Sequence, residues 1–186
     1  TIKKISTGLP YKLFFTDVEE LDVANVDSVI DYVRDKKINF IVNCAAYTAV
    51  DKAETDVQNA VLVNKIGPAN LAHASKEFDI PLIHVSTDFV FDGIKNSPYT
   101  EDDVTNHKGV YGKTKREGEL EIIRILKKYF IIRTSWLYSQ FNANFMKTML
   151  KLAQDRDTIS VVNDQIGTPT HAIDLADVII KVILSS

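Results

Sequence analysis

Cysteine, glycine and long apolar runs are scarce in this chain of 186 residues. Its single cysteine, Cys44, cannot form an internal disulfide, and no stretch approaches the ~20 apolar residues that cross a bilayer. The net charge is only −3, and there is no basic block of the kind that binds nucleic acid or an anionic membrane. The first residues also lack the apolar segment of a secretory signal. We therefore expect a cytoplasmic protein with no nucleic-acid and no membrane partner.

Glycine occurs 7 times, whereas an average usage near 7% would give about 13. The chain also opens at Thr1 without an initiator methionine, in a stretch that resembles the end of a helix. Both features predict that the chain is incomplete at its N-terminus.

Hydrophobic residues make up 45% of the chain and charged residues 25%, as in ordinary globular domains. Short β-branched or aromatic runs alternate with longer segments of helical spacing, which is typical of helices covering a parallel sheet. We predict an α/β fold with a doubly wound parallel sheet. The predicted strands are Lys12–Phe15, Phe40–Cys44, Leu82–Ser86, Phe130–Arg133 and Ser160–Val162. The predicted helices are Val26–Lys37, Val57–Phe78, Lys113–Lys128, Asn144–Gln154 and Ala172–Leu184.

Ligands of open parallel sheets bind at the carboxyl ends of the strands. The segments that follow four of the predicted strands mix small, hydroxylic, aromatic and amide residues, a composition typical of a pocket lining. These segments are AAYTAVDKAE, TDFVFDG, TSWLYSQFNANF and NDQIGTPT. Each is also compatible with an ordinary loop.

Tyr111 and Lys115 lie four residues apart at the start of a predicted helix and so project from one face. An adjacent ammonium stabilises a phenolate and lowers the pKa of a tyrosine, which makes the pair a candidate general acid. Ser86 and Thr87 end the preceding strand and can direct hydroxyls into the same crevice. Hydroxyl, phenol and ammonium together can polarise a carbonyl and protonate it as hydride arrives.

Six motifs occur in register along the chain. They are NCAAYTAVDKAE (43–54), STDFVFDG (86–93), VYGKTKREGE (110–119), RTSWLY (133–138), NFMKTMLKLA (144–153) and NDQIGTPT (163–170). Together they resemble the extended short-chain dehydrogenase/reductases, and within them the dTDP-4-dehydrorhamnose reductases. The resemblance covers essentially the whole chain and implies a Rossmann-like fold.

The resemblance also implies roles for individual residues. The catalytic set is Thr87, the proton donor Tyr111, and Lys115, which holds the nicotinamide ribose and lowers the pKa of the tyrosine. The cofactor-binding set adds Asp17, Asp22, Val23, Ala45, Ala46, Tyr47, Thr48 and Ser86. The substrate-binding set is Thr87, Asp88, Phe89, Trp136 and Asn144. Relatives commonly carry a tyrosine where this chain has Phe89, so a hydrogen bond from that phenol is not available.

The family's glycine-rich turn, GxxGxxG, and its first strand are absent from this sequence, as is most of the C-terminal substrate region. We expect residues 1–186 to form an N-terminally incomplete NAD(P)-binding domain that does not bind its cofactor normally. The implied cofactor is NADPH or NADH. Asp17 can accept the ribose hydroxyls of NADH and repel the extra phosphate of NADPH, and the preference between the two stays open.

The implied reaction is reduction of the C4 keto group of dTDP-4-dehydro-L-rhamnose to dTDP-L-rhamnose, with a nucleotide sugar as the small-molecule partner. Two alternatives stay open: a regulatory module resembling the regulatory subunit of methionine adenosyltransferase, and a reductase or epimerase of another nucleotide sugar. Homodimerisation also stays open. His84, within an apolar strand, is predicted to be a core histidine, and no metal site is predicted because His107 and His171 show no ligand spacing.

Overall fold

The computed structural model describes residues 1–185, which form two compact units. The larger unit is Thr16–Arg133, and the smaller combines Thr1–Phe15 with the described residues from Thr134 onward. The helices are α1 (Ile2–Ile5), α2 (Val26–Lys36), α3 (Val50–Ala53), α4 (Val57–Val61), α5 (Gly67–Glu77), α6 (Val110–Ile125), α7 (Phe145–Asp155) and α8 (Ala172–Ser185). The strands are β1 (Ile41–Asn43), β2 (Leu82–Thr87), β3 (Tyr129–Thr134), β4 (Leu137–Tyr138) and β5 (Thr170–His171).

A three-stranded sheet in the order β1-β2-β3 forms the centre of the larger unit. β1 and β2 pair in parallel, with Ile41 opposite Leu82 and Asn43 opposite His84. This register places the ends of the two strands, and the segments that follow them, at one edge of the sheet. The α/β architecture predicted from the alternating apolar pattern is confirmed.

Helix α2 shows how local sequence sets the helices of this unit. The Asn25 side chain accepts a hydrogen bond from the backbone N–H of Ser28 at 3.1 Å and so caps the first turn, as its residue type favours. Val29 and Val33, four residues apart, are buried in the core. The core is completed by residues from α5, α6 and the strands, among them Leu71, Ala72, Ala74, Ile80, Leu82, Ile122, Ile125 and Leu126.

The predicted helix Val57–Phe78 is interrupted by a π turn at Leu62–Ile66, which lies between α4 and α5. The N–H of Gly67 donates to the carbonyl of Leu62, five residues earlier. Pro68 has no N–H to offer the carbonyl of Asn64 four residues before it, and this favours the wider turn. A Cβ on Gly118 of α6 would overlap the carbonyl oxygen of Asn64, so α6 approaches the π turn closely.

Two predicted strands are wrong: Lys12–Phe15 and Ser160–Val162 form no strand in the structure. Within the described residues neither segment has a neighbouring strand, and an extended segment needs such a partner to complete its backbone hydrogen bonds. Val161 and Val162 are consequently half-exposed or more. Helix α6 begins at Val110, before the predicted start at Lys113, so Tyr111 lies within its first turn.

The smaller unit contains a two-stranded parallel ladder in which Leu137 pairs with Thr170 and Tyr138 with His171. Neither strand was predicted from sequence. Helix α7 begins at the cap residue Asn144, whose side chain accepts from the N–H of Lys147, and α1 packs against α8. Among residues 1–185, no helix is both long enough and apolar enough to cross a bilayer.

Candidate active site

The end of β2 and the first turn of α6 bring together residues that lie 24 positions apart in the chain. Thr87 ends β2, and the chain then turns through a 3₁₀ helix at Asp88–Val90. A Cβ on Gly112 would overlap the carbonyl oxygen of Phe89, so α6 lies directly against this turn. The rings of Phe89 and Tyr111 pack edge to face, with centroids 5.4 Å apart. The sequence-predicted pair Thr87 and Tyr111 therefore meets in the structure.

The hydroxyl of Thr87 is at the centre of this contact. It donates to Oδ1 of Asp88 at 3.1 Å and accepts from the N–H of Phe89 at 3.2 Å. Burial raises the pKa of Tyr111, hydrogen bonding with Thr87 opposes that rise, and the charge of Asp88 adds to it. The phenol is thus held in its protonated form, the form that can donate a proton.

Lys115 lies one turn after Tyr111 on α6 and is almost completely buried, with 2% of its surface exposed. Its Nζ donates to the carbonyl of Val85 at 2.8 Å and lies 3.4 Å from Nε2 of His84. Burial lowers the pKa of Lys115 to about 8, against the opposing charges of Glu119 and Cys44. The resemblance implies that Lys115 lowers the pKa of Tyr111, whereas the pKa is raised here, because burial outweighs the hydrogen bond with Thr87.

Two buried asparagines hold the segment after β1, which contains the predicted cofactor residues Ala45, Ala46, Tyr47 and Thr48. Oδ1 of Asn43 accepts from the N–H of Ala45 at 3.0 Å, and Oδ1 of Asn64 accepts from the N–H of Tyr47 at 2.9 Å. The Asn64 amide also donates to the carbonyl of Tyr47. The loop is therefore fixed by side chains rather than by a ladder of backbone hydrogen bonds.

Sequence analysis missed both asparagines. Asn64 lies in the π turn, and its Nδ2 also contacts Oγ1 of Thr114, the neighbour of Lys115, at 3.2 Å. For Asn64, the signal in the sequence was a polar residue on the buried face of a predicted helix. The predicted burial of His84 is confirmed, since none of its surface is exposed.

The acidic residues expected beside the nucleotide lie in exposed turns of the larger unit. Oδ1 of Asp17 accepts from the N–H of Glu19 at 3.0 Å, and Oδ1 of Asp22 accepts from the N–H of Ala24 at 2.9 Å. The carbonyl of Val23 accepts from the side chain of Asn70 on α5 at 2.9 Å. These contacts fix the turns and leave the two carboxylates at the surface.

Behind the end of β2, a buried ionic cluster supports the site. Burial acts to raise the pKa of Glu119, but hydrogen bonds from Arg133 and Arg116 outweigh it, so the pKa is lowered. Arg133 donates to Glu119 through both Nε, at 3.0 Å, and Nη2, at 2.7 Å. Ser86, a predicted cofactor residue, is 3% exposed at the end of β2.

The remaining predicted site residues, Trp136 and Asn144, belong to the smaller unit. Trp136 has a φ of +45° and packs over Gly167, where a Cβ would approach the indole to 2.8 Å. Asn144 uses its side chain to cap α7 and to donate to the carbonyl of Ser139 at 2.7 Å. In residues 1–185 no cluster of three or more His, Cys, Asp or Glu side chains could hold a metal ion.

Comparisons with known proteins identify the family of the chain. The family model described as the RmlD substrate binding domain matches residues 3–186. A dTDP-4-dehydrorhamnose reductase of Aggregatibacter actinomycetemcomitans is 45% identical over 172 residues, which are 92% of this chain and 58% of that protein. The chain thus spans little more than half the length of this curated relative.

Two solved structures show the same fold along nearly the whole chain. A dTDP-4-dehydrorhamnose reductase of Clostridium acetobutylicum has a TM-score of 0.96 and 46% identity, covering 99% of this chain and 65% of that one. The corresponding enzyme of Bacillus anthracis, solved with NADP, has a TM-score of 0.95 and 39% identity, covering 98% of this chain and 65% of that one. These matches confirm the resemblance to the dTDP-4-dehydrorhamnose reductases, and the chain belongs to the RmlD substrate binding domain family.

Proposed function

We propose that this chain is the main part of an NAD(P)H-dependent reductase that converts dTDP-4-dehydro-L-rhamnose to dTDP-L-rhamnose. The observation that carries the proposal is the contact between Thr87 and Tyr111, with the buried amine of Lys115 one turn further along α6. Relatives named for this reaction support the choice of substrate. We place the protein in the cytoplasm and propose residues 1–186 as its nicotinamide-nucleotide-binding domain.

The residues of the larger unit fit a nicotinamide cofactor. The loop after β1 begins with Ala45 and Ala46 and is fixed by Asn43 and Asn64, so a flat polar ligand can approach the backbone of these alanines. The proposed cofactor residues are those of this loop, Ala45, Ala46, Tyr47 and Thr48, together with Asp17, Asp22, Val23, Ser86, Tyr111 and Lys115. The solved relative with NADP supports this class of cofactor. When bound, the cofactor supplies the hydride.

The protein's own residues then handle the proton and the charge on oxygen. Tyr111 is the proton donor, because its phenol lies beside Thr87 at the end of β2 and is protonated at neutral pH. Thr87 donates a hydrogen bond to the carbonyl oxygen as negative charge develops there, after rotating its hydroxyl from Asp88. We assign Asp88, Phe89, Trp136 and Asn144 to contacts with the substrate.

The test is loss of reduced-nicotinamide absorbance when the protein, expressed from its whole reading frame, is mixed with dTDP-4-dehydro-L-rhamnose. NADPH and NADH are supplied in separate reactions. We expect turnover, and we expect Tyr111→Phe to lower kcat by about 10²–10⁴. Tyr129→Phe, which changes another tyrosine at a distance from the end of β2, is the matched control. A folded protein that shows no turnover with either cofactor would contradict the proposal. It would favour a regulatory module or a reductase or epimerase of another nucleotide sugar.

A further inference from the structure

Asn43, His84 and Lys115 form a buried chain of side chains that the proposed mechanism leaves unused. Nδ2 of Asn43 lies 3.0 Å from Nδ1 of His84, and Nε2 of His84 lies 3.4 Å from Nζ of Lys115. Asn43 is 3% exposed, Lys115 is 2% exposed, and no surface of His84 is exposed. These three side chains connect the loop after β1 to Lys115 on α6 by way of β2.

The protonation of His84 follows from its contacts. The N–H of Ala45 can only donate, so the asparagine atom that it meets at 3.0 Å must be the amide oxygen, Oδ1. The other terminal atom of Asn43 is therefore the NH₂ group, which donates to Nδ1 of His84. A ring nitrogen that accepts carries no proton, and this excludes the imidazolium. The ring is neutral and carries its proton on Nε2.

This tautomer points an N–H at Lys115. An ammonium has three donors and no acceptor, so it would face the Nε2–H of His84 with a hydrogen of its own. A neutral amine has a lone pair that accepts from Nε2–H, and it still donates to the carbonyl of Val85 at 2.8 Å. The neutral amine satisfies both contacts, whereas the ammonium satisfies only the contact with Val85.

We propose that His84, held by Asn43 in the tautomer with its proton on Nε2, is a positioning residue that orients Lys115 and stabilises its neutral amine. The charged or titratable groups that act on Lys115 from the surrounding elements are Glu119 on α6 and Cys44 after β1, and both favour the ammonium. His84 on β2 acts in the opposite direction. Asn43 thereby connects the proposed cofactor loop to the protonation state of the lysine.

The catalytic consequence rests on the proposed function. Below its pKa of about 8 Lys115 is an ammonium. After Tyr111 gives its proton to the product oxygen, this ammonium protonates the phenolate, and the resulting amine takes a proton from the solvent. An ammonium that is a stronger acid gives up its proton more readily. The contact with His84 increases that acidity, because it stabilises the amine that the transfer leaves behind.

The first test needs no variant. In the full-length protein labelled with ¹⁵N-histidine, long-range proton–nitrogen correlations report which ring nitrogen of His84 is protonated. We expect the proton on Nε2 at every pH at which the protein is folded. A proton on Nδ1, or an imidazolium near neutral pH, would overturn the proposal.

The second test reverses the tautomer. In Asn43→Asp the carboxylate accepts from both Ala45 and Nδ1–H of His84, so Nε2 becomes an acceptor for the ammonium. We expect the titration of Lys115, followed by ¹³C-lysine NMR and assigned with Lys115→Met, to move up by about 1 pH unit or more. The pH limb of kcat/KM that reports Lys115 should move equally.

The double variant Asn43→Asp with His84→Phe separates the imidazole from the added charge. If the charge of the new carboxylate acts on Lys115 directly, without His84, the double variant moves the titration of Lys115 as far as Asn43→Asp does. This result would refute the proposal. We expect a clearly smaller shift. A protein with the expected tautomer and lysine titration but no reductase turnover would contradict the proposed function and leave this inference standing.

Discussion

Arg133 meets Glu119 with two parallel hydrogen bonds, from Nε to Oε1 at 3.0 Å and from Nη2 to Oε2 at 2.7 Å. Arg116 adds a third bond to the same carboxylate at 2.7 Å. No side-chain surface of Glu119 is exposed, whereas each arginine side chain is 22% exposed. A buried carboxylate between two guanidinium groups ties α6 to β3 directly behind the end of β2.

Glu119→Gln should therefore destabilise the protein strongly. Removing one partner of a buried ion pair leaves the opposite charges uncompensated, at a cost of about 3–5 kcal/mol in the free energy of unfolding. Urea denaturation of the full-length protein measures this loss. The control is Glu121→Gln, whose partner Arg124 is 67% exposed, and its cost should stay below about 1 kcal/mol. Equal losses in the two variants would contradict the role of the cluster.

The same pair has a defined pH dependence. Because the folded state lowers the pKa of Glu119 below its ordinary value of 4.5, the carboxylate stabilises the fold above that value. The stabilisation is lost as the pH falls through the lower, folded pKa. The difference in unfolding free energy between the parent protein and Glu119→Gln should accordingly be constant at neutral pH and shrink in acid.

Asn64→Ala should loosen the loop after β1. The substitution leaves the backbone N–H and carbonyl of Tyr47 without their partner, and a buried polar group left unsatisfied costs about 1–3 kcal/mol. We also expect KM for the nicotinamide cofactor to rise. Gln58→Ala, which changes an exposed side chain of α4 just before the π turn, is the control and should change stability by less than about 0.5 kcal/mol. An unchanged KM with an intact fold would show that the loop does not depend on Asn64.

Gly112→Ala should act mainly on catalysis. A Cβ at this position overlaps the carbonyl of Phe89, so α6 must move away from the turn that carries Thr87. A displacement of about 1 Å at a catalytic group can cost about 10²-fold in rate, and overpacking costs about 1–3 kcal/mol. Steady-state kinetics and thermal unfolding measure the two effects. The exposed neighbour Lys113 provides the control Lys113→Ala, which should retain full activity.

Asp92→Ala should release the loop between β2 and α6. Asp92 accepts from the phenol of Tyr99 at 2.9 Å and from the amide of Asn106 at 3.1 Å, which joins distant parts of that loop. Without these bonds we expect trypsin to cut at Lys95 and Lys108 several times faster. Asp102→Ala removes an exposed carboxylate of the same loop and should leave the digestion rate unchanged. Equal rates for both variants would show that Asp92 does not hold the loop.

Local patterns predicted the central strands and the position of Tyr111 and Lys115 on one helix well. β1, β2 and β3 are short runs of mainly apolar residues. The four-residue spacing of Tyr111 and Lys115 fixes their relation on a helix whatever the rest of the fold does. The same apolar pattern at Lys12–Phe15 and Ser160–Val162 produced false strands. A strand also needs a neighbour, and an isolated segment of sequence does not show whether one is present.

Long-range contacts explain what the sequence did not reveal. His84 lies 41 residues from Asn43 and 31 from Lys115, so only the parallel register of β1 and β2 and the packing of α6 bring the three together. The spacing of Tyr111 and Lys115 did not show that the amine would be directed to the carbonyl of Val85. The pKa of each group depends on these distant neighbours and on burial.

The π turn before Pro68 also changes the phase of the helix that contains it. One additional residue per turn rotates everything downstream by about 100° relative to an uninterrupted α-helix. The segment before and within the turn can therefore direct Asn64 towards Tyr47 and Thr114, while α5 presents Leu71 and Ala74 to the core. A single continuous helix thus serves the proposed cofactor loop with one face and the hydrophobic interior with another.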